Sequence, residues 1–430
     1  MNRREFLHNA TTLSLLSCLS LPSRELFAAA AGSMDLIISE IEILKLTGTR
    51  EVNRGINRQH QVQPLHLYQD RRPPVYRDGA TKMEQAEITQ YYVRVRTKGG
   101  AEGLYGLVDK EALPTILGPL RTLLIGQDAL AVERLWDQMY RSNRHSRASH
   151  YMMGISYLDN ALWDLRARYF GQPVYRLLGG PTQHPVPVYG SCLGFSIEPE
   201  AAGKRAAQLK SQGFIHQKWF LGYGPSDGAH GMNMNVELVR SLRAAVGEDV
   251  GLMFDAYQGW DLQYAIEWCR RVQQYHPYFL EEAAPVADVE SFARLSQATS
   301  IPIATGEHFY NRWEIEQFLK ADALQYIQAD PEWCGGVSEL LKICALASVH
   351  GVKVIPHCHN VHAALHIVAS QSPAVCPMGE YLINYVPDKL FFMKNAFSPQ
   401  NGRVTLPSAP GFGIELDAAK IQKQEVLTSV

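Results

Sequence analysis

Three acidic residues recur at one interval, and that interval constrains the fold more than anything else in the sequence. The stretch "GLMFDAYQGWD" (Gly251 to Asp261) is an apolar run that ends on Asp255. "YFLEEAAP" places Glu281 after Tyr278, Phe279 and Leu280, and "IPIATGEHF" places Glu307 after another apolar run. The spacings, 281 − 255 and 307 − 281, are both 26. Helix-like segments lie between them, "LQYAIEWCRRV" (Leu262 to Val272) and "VESFARL" (Val289 to Leu295). A strand, a loop, a helix and a return in about 25 residues make one βα unit of a parallel sheet. The rhythm continues: "ALQYIQAD" ends at Asp330, "VKVIPHCH" carries His357 and "PMGEYL" carries Glu380, with the helical stretch "VSELLKICALASV" between Asp330 and His357. Side chains at successive strand ends converge on one face of the sheet.

The chain has 430 residues, enough for one large domain and a smaller one. A net charge of −2 gives no reason to expect nucleic acid or an anionic membrane as partner. The seven cysteines form no CxxC pair and no zinc or disulfide framework, so they read as small buried hydrophobes. The first 33 residues carry a basic head with Arg3 and Arg4, an apolar stretch from about Ala10 to Leu21, and the small-residue run Ala28 to Ala31. The apolar stretch is too short to span a bilayer and reads as an export signal of twin-arginine type, with a periplasmic or exported destination. No other segment is apolar enough to span a membrane.

Residues 34–150 read as a small α+β domain. It opens with a strand, passes through a polar loop at 50–79, and forms a hairpin that turns at Gly99-Gly100. "ISYLDNALWDLRARYFG" is an amphipathic helix stopped by Gly171. From 151 to 395 about eight strand signals alternate with helices, which favours a closed (β/α)8-type barrel over an open sheet. Residues 396–430 are loop and strand and are expected to return to the first domain. Active sites of such barrels lie at the C-terminal ends of the strands, where the acids fall.

Three carboxylates without local basic partners would repel one another, and a hard divalent cation resolves this. Oxygen-only ligands suit Mg²⁺, so Asp255, Glu281 and Glu307 read as a magnesium site. At "EEA" the choice of Glu281 over Glu282 rests on strand alternation. Asp330 beside His357 would fix the imidazole tautomer and raise its basicity. A dication facing this dyad would acidify the proton next to a substrate carboxylate, and His357 would remove it. His308, next to Glu307, is placed to face the substrate. His359, His362 and His366 read as structural. Cys358 follows His357 but points to the other face of a strand, so a thiol nucleophile is disfavoured. No phosphate loop, HExxH or GxSxG motif is present.

"ISYLDNALWDLRARYFGQPVYRLLGG", "FLEEAAP", "IPIATGEHF", "IQADPEWCGGVSE", "VIPHCH" and "PGFGIEL" together resemble the mandelate racemase branch of the enolase superfamily. "GYGPSDGAHGM" and "DPEWCGG" are most similar to its acid-sugar dehydratases of the rhamnonate type. The resemblance implies a modified, enolase-like barrel with an N-terminal α+β capping domain, Mg²⁺ on Asp255, Glu281 and Glu307, and an Asp330–His357 dyad. It makes Glu380 the strand-eight acid that hydrogen-bonds the substrate carboxylate. It also implies that the loop at 54–77 closes over a small acid sugar, with Arg58, His60, His66 or Arg71 contacting hydroxyls, and it is compatible with a homo-oligomer. Relatives often carry a second lysine two residues after the first; here Lys218 is kept and Phe220 takes the second place. Without a base opposite His357, racemisation is disfavoured. Dehydration remains, with His357 taking the α-proton and returning it to the departing β-hydroxyl and Lys218 holding the carboxylate or enediolate. A sugar-acid cycloisomerase or epimerase, and a non-catalytic sugar-acid binder on the same fold, are the alternatives.

Overall fold

The structure is a computed structural model that describes residues 36–53, 61–72 and 83–429. The N-terminal signal-like segment, Arg58 and His60 lie outside the described residues.

The N-terminal part contains β1 (Ile38–Asn53), β2 (Met83–Thr97), β3 (Glu102–Gly106), α1 (Val132–Ser142) and α2 (Ser149–Tyr169). Burial in β1 alternates where its sheet has one covered face, with Leu44, Leu46 and Gly48 buried and Lys45 and Thr49 more open. After α2 the strict βα alternation begins: β4 (Val186–Ser191), α3 (Pro199–Ser211), β5 (His216–Phe220), α4 (Gly228–Val246), β6 (Gly251–Asp255) and α5 (Leu262–Val272). It continues through β7 (Phe279–Glu281), α6 (Val289–Ala298), β8 (Ile303–Thr305), α7 (Arg312–Lys320), β9 (Tyr326–Ile327) and α8 (Gly336–Val349). It ends with β10 (Lys353–Val354), α9 (Val361–Ser370) and β11 (Gly379–Leu382), followed by β12 (Arg403–Val404) and β13 (Lys423–Leu427). Asp261, Asp288 and Asn311 cap α5, α6 and α7 by accepting from backbone N–H groups of the first turn.

Eight parallel strands run in the spatial order β10-β9-β8-β7-β6-β5-β4-β11, so the last strand of the series returns beside the first. Between β10 and β11 the described residues form no ladder; the Val354 N–H bonds to the Val375 carbonyl ahead of β11. Helices follow the first seven strands but the eighth is followed only by the one-turn helix Val386–Lys389, which is the modification of the regular (β/α)8 plan. The second sheet has the antiparallel order β13-β1-β2-β3, so the chain's last strand completes the N-terminal sheet.

The barrel interior is plugged by one compact apolar cluster: Tyr189, Met253, Phe279, Ala304, Tyr326, Ile355 and Met378. Side chains on a strand alternate, so residues two further on share the inward face. Two residues beyond Met253 is Asp255, beyond Phe279 is Glu281, beyond Ile355 is His357, and beyond Met378 is Glu380. The apolar plug thus carries a polar layer directly above it, at the C-terminal rim. The six described cysteines are buried and free.

One buried carboxylate ties both parts together. Asp164 on α2 accepts from the Leu104 N–H of β3 at 2.9 Å and from the Phe412 N–H at 2.8 Å, and pairs with Arg168 at 2.6 Å. Its side chain is fully buried. Removing it orphans two buried donors, each costing about 1–3 kcal/mol. Asp164→Ala is expected to lower unfolding stability by about 2–5 kcal/mol in denaturant titration; a loss below about 1 kcal/mol would show that neither bond matters.

Candidate active site

The polar layer is built around Lys218, the third residue of β5. Its ammonium is 2.9 Å from Glu281, 3.1 Å from Glu380 and 3.3 Å from Asp255, and it is essentially sealed from solvent. β5, β6 and β7 lie in parallel register, with Lys218 beside Met253, and Asp255 beside Glu281, which brings these groups to one level. Burial alone would lower the lysine pKa, but Glu281, Glu380 and Asp255 hold it well above its ordinary value. The acids respond in the opposite sense. Burial pushes Asp255 up to about 6 despite Lys218, and it pushes Glu281 and Glu282 well above the usual carboxylate range. Glu307 differs: burial pushes it up, but His357 and His308 bring it below its ordinary value.

Glu281 and Glu282 correct one expectation. Alternation places Glu281 inward, where the structure has it, but it does not send Glu282 to the other side. β7 ends at Glu281, and Glu282 adopts a left-handed backbone with φ 48°. This turn breaks the alternation and buries both acids. Glu282 accepts from the Gln258 side chain at 3.0 Å and lies 3.7 Å from His308. Among the described residues, ligand-type atoms of Glu282, Glu307 and His308 lie within 4.8 Å of one another, a tighter set than Asp255, Glu281 and Glu307. Asp255 and Glu281 are instead drawn to Lys218.

The dyad is formed. His357 Nδ1 is 2.5 Å from Asp330 Oδ2, while Nε2 faces Glu380 at 3.7 Å and Glu307 at 3.9 Å. Asp330 also accepts from the backbone N–H groups of His359 at 2.8 Å and Glu332 at 2.6 Å. Although burial pulls the imidazole down, Glu307, Glu380 and Asp330 raise its pKa to about 9. Asp330 is lowered, burial being outweighed by its bonds to the side chains of His357 and Glu332. The turn that carries Asp330 is strapped from below: Asn160 donates to the Pro331 carbonyl at 3.0 Å, and Trp136 donates to the Gly335 carbonyl at 2.7 Å. Tyr105 of β3 donates to Glu332, so the N-terminal sheet reaches the foot of the dyad.

Asp255, Glu307, Lys218, His357, Glu380 and His308 line one cavity of about 180 Å³ with Leu193, Phe220, Tyr257, Trp333, His359, Leu382, Tyr385 and Lys389. Trp333 stacks against His308 and His357 and meets His359 at a tilt, with ring centroids 5.0–5.6 Å apart. Trp333, Tyr257 and Lys389 carry no functional signal in the sequence, and His359, expected to be structural, lines the cavity. No motif marks the lysine: it follows the eighth strand, where the period has run out. His308 is in the cavity wall, 3.2 Å from Glu307. His66 is elsewhere, lining a neighbouring cavity with Trp260 and Pro285, and Arg71 is exposed beside Asp70.

The donor chemistry fits a hard divalent cation. Among the described residues Glu281 Oε2 and Glu282 Oε2 are buried without a hydrogen-bond partner, and the local set is dominated by carboxylate oxygen. A dication there would offset repulsion that burial otherwise relieves by protonation. Titrating Mg²⁺ by calorimetry is expected to show one site weakened about tenfold or more in Asp255→Asn and Glu307→Gln. Glu281→Gln and Glu282→Gln, measured side by side, decide which of the adjacent acids is a ligand; unchanged affinity in all four variants would contradict the ion seat.

Residues 201–420 match the family described as enolase C-terminal domain-like, and residues 68–179 match the mandelate racemase / muconate lactonizing enzyme N-terminal domain. The L-rhamnonate dehydratase of Saccharopolyspora erythraea is 32% identical over 330 residues, covering 75% of this chain and 79% of that protein. The structure of rhamnonate dehydratase from Gibberella zeae complexed with Mg superposes with a TM-score of 0.74 at 27% identity, over 89% of this chain and 95% of that one. The 3,6-anhydro-D-galactonate cycloisomerase from Zobellia galactanivorans shares the fold, with a TM-score of 0.70 at 24% identity over 90% and 100% of the two chains. The chain belongs to the mandelate racemase and muconate lactonizing enzyme family of the enolase superfamily.

Proposed function

We propose that this protein is a Mg²⁺-dependent dehydratase of an acid sugar, converting an aldonate to a 2-keto-3-deoxy acid. The observation that carries the reading is the His357–Asp330 dyad, whose Nε2 faces the cavity shared with the acid cluster. The similarity to L-rhamnonate dehydratases supports the substrate class.

Asp255 and Glu307, with Glu281 or Glu282, would hold the ion. Mg²⁺ bound there supplies positive charge that offsets the negative charge building on the substrate carboxylate as the α-proton leaves. With those acids engaged, His357 would lose part of the carboxylate field that raises it and come closer to the neutral form a base requires. His357 Nε2 takes the proton, and Asp330 holds the ring and stabilises the imidazolium. Glu380, paired with Lys218, would hydrogen-bond the substrate carboxylate or enediolate. Phe220 lines the cavity where a second lysine would otherwise act, and Lys218 is tied to three acids, so the chemistry has one base. A single base suits elimination, whereas racemisation needs a second proton donor on the opposite face. Export by a twin-arginine route belongs to the same proposal and rests on the sequence of the first 33 residues.

The test is a panel of aldonates, L-rhamnonate among them, with Mg²⁺ and a colorimetric readout for 2-keto-3-deoxy products. Turnover of at least one aldonate is expected. Isomerised or epimerised products without water loss would move the protein to a cycloisomerase or epimerase, and binding without turnover would make it a sugar-acid binder. His357→Asn should slow both dehydration and solvent deuterium uptake at C2 by about 10²–10⁴-fold or more; retained uptake would mean another base.

A further inference from the structure

Lys389 is a cation in the cavity wall that the reaction as described leaves unused. It closes the short helix after β11 and shares the cavity with His357. Its ammonium donates to the His359 carbonyl and lies 3.4 Å from His359 Nδ1. His359 Nε2 is 3.2 Å from Asp109 Oδ1, whose other oxygen accepts from Tyr157 and Trp333. Asp109 is held below the usual carboxylate range, burial being outweighed by His359, Trp333 and Tyr157, so it is an ionised acceptor. Burial and the Lys389 charge lower His359, which is therefore neutral. These facts fix the tautomer: Nε2–H donates to Asp109, and the bare Nδ1 accepts from Lys389.

An ammonium has three N–H donors. Two are directed at His359, which leaves one. Among the described residues no carboxylate lies within ion-pairing distance of Lys389, in contrast to Lys218, which has three. Burial outweighs the more distant Asp330, Asp109, Glu332 and Glu380 and lowers its pKa, which makes it a better proton donor than an exposed lysine. The lysine also lies on the dyad's side of the barrel. The His359 backbone N–H and His357 Nδ1 share Asp330 Oδ2, so the group that orients the base also anchors the residue that orients Lys389.

We propose that Lys389 is the acid that protonates the departing β-hydroxyl, so that His357 serves as base only. This deepens the dehydratase reading and rests on it. His357 takes the C2 proton and the C2–H electron pair passes onto the substrate carboxylate as an enediolate, which can regain a proton at C2 or release the pair to form the C2–C3 double bond. The C3–O bond breaks with its pair on oxygen, and that oxygen takes a proton from the Lys389 ammonium and leaves as water. The resulting enol becomes the 2-keto acid as the His357 imidazolium returns its proton to C3 and the enol O–H proton passes through solvent to the Lys389 amine. Protons and electrons balance, and no external reagent is required.

The experiment separates the two halves of the reaction, using the aldonate that the panel turns over, in D₂O with saturating Mg²⁺. Lys389→Met should keep deuterium uptake at C2 within a few-fold of wild type while 2-keto-3-deoxy product formation falls about 100-fold or more. Lys389→Arg keeps the charge but cannot release a proton near neutral pH, so it should stay equally poor in dehydration. Three results would overturn the proposal: near wild-type dehydration in Lys389→Met, restored dehydration in Lys389→Arg, or loss of uptake together with dehydration in both variants. The dehydratase reading fails separately, when wild-type protein dehydrates no aldonate.

Discussion

Buried negative charge is the constraint on which the rest depends. Asp255, Glu281, Glu282, Glu307 and Glu380 are all buried at one end of the barrel, with a single lysine among them. Two like charges about 4 Å apart repel by about 4 kcal/mol at an effective dielectric of 20. Lys218 answers three of the acids, and His357 and His308 answer Glu307. What remains is relieved by protonation, which is why Glu281 and Glu282 are driven up. A barrel that concentrates acids in this way is arranged for a positively charged guest. The apolar plug beneath keeps the layer level and leaves it nowhere to relax.

The N-terminal part contributes more than cover. Tyr105 reaches Glu332 behind the dyad, and Asp109 orients His359 and Trp333. Trp136 and α2 strap the turn that carries Asp330. The base is therefore held by groups from both sheets, so the two parts of the chain must dock before the site is complete. Asp164 fastens that docking far from the chemistry.

The periodic part of this arrangement was legible. The 26-residue spacing placed Asp255, Glu281 and Glu307 at neighbouring strand ends, and the continuing rhythm placed Asp330, His357 and Glu380, because strand parity and the βα repeat are one-dimensional facts. Departures from periodicity were not legible. Glu282 turns inward through a left-handed backbone that alternation cannot register. Lys389 follows the eighth strand, where no unit remains to set its phase. Tyr105 of β3 and Asp109 just beyond it reach the site from the N-terminal part, more than 200 residues from Glu332 and His359 in sequence. His66, chosen for its place in a polar loop, lines a different cavity. Lys218 was expected to hold substrate; its three carboxylate partners make it first a counter-ion.

The most direct test of the central claim is anomalous diffraction from crystals grown with Mn²⁺ as a reporter for Mg²⁺. One strong peak is expected at the C-terminal end of β6 to β8, within coordination distance of Asp255 and Glu307, with His357 across the cavity. A peak elsewhere, or none at saturating Mn²⁺ with the acids still clustered around Lys218, would contradict it.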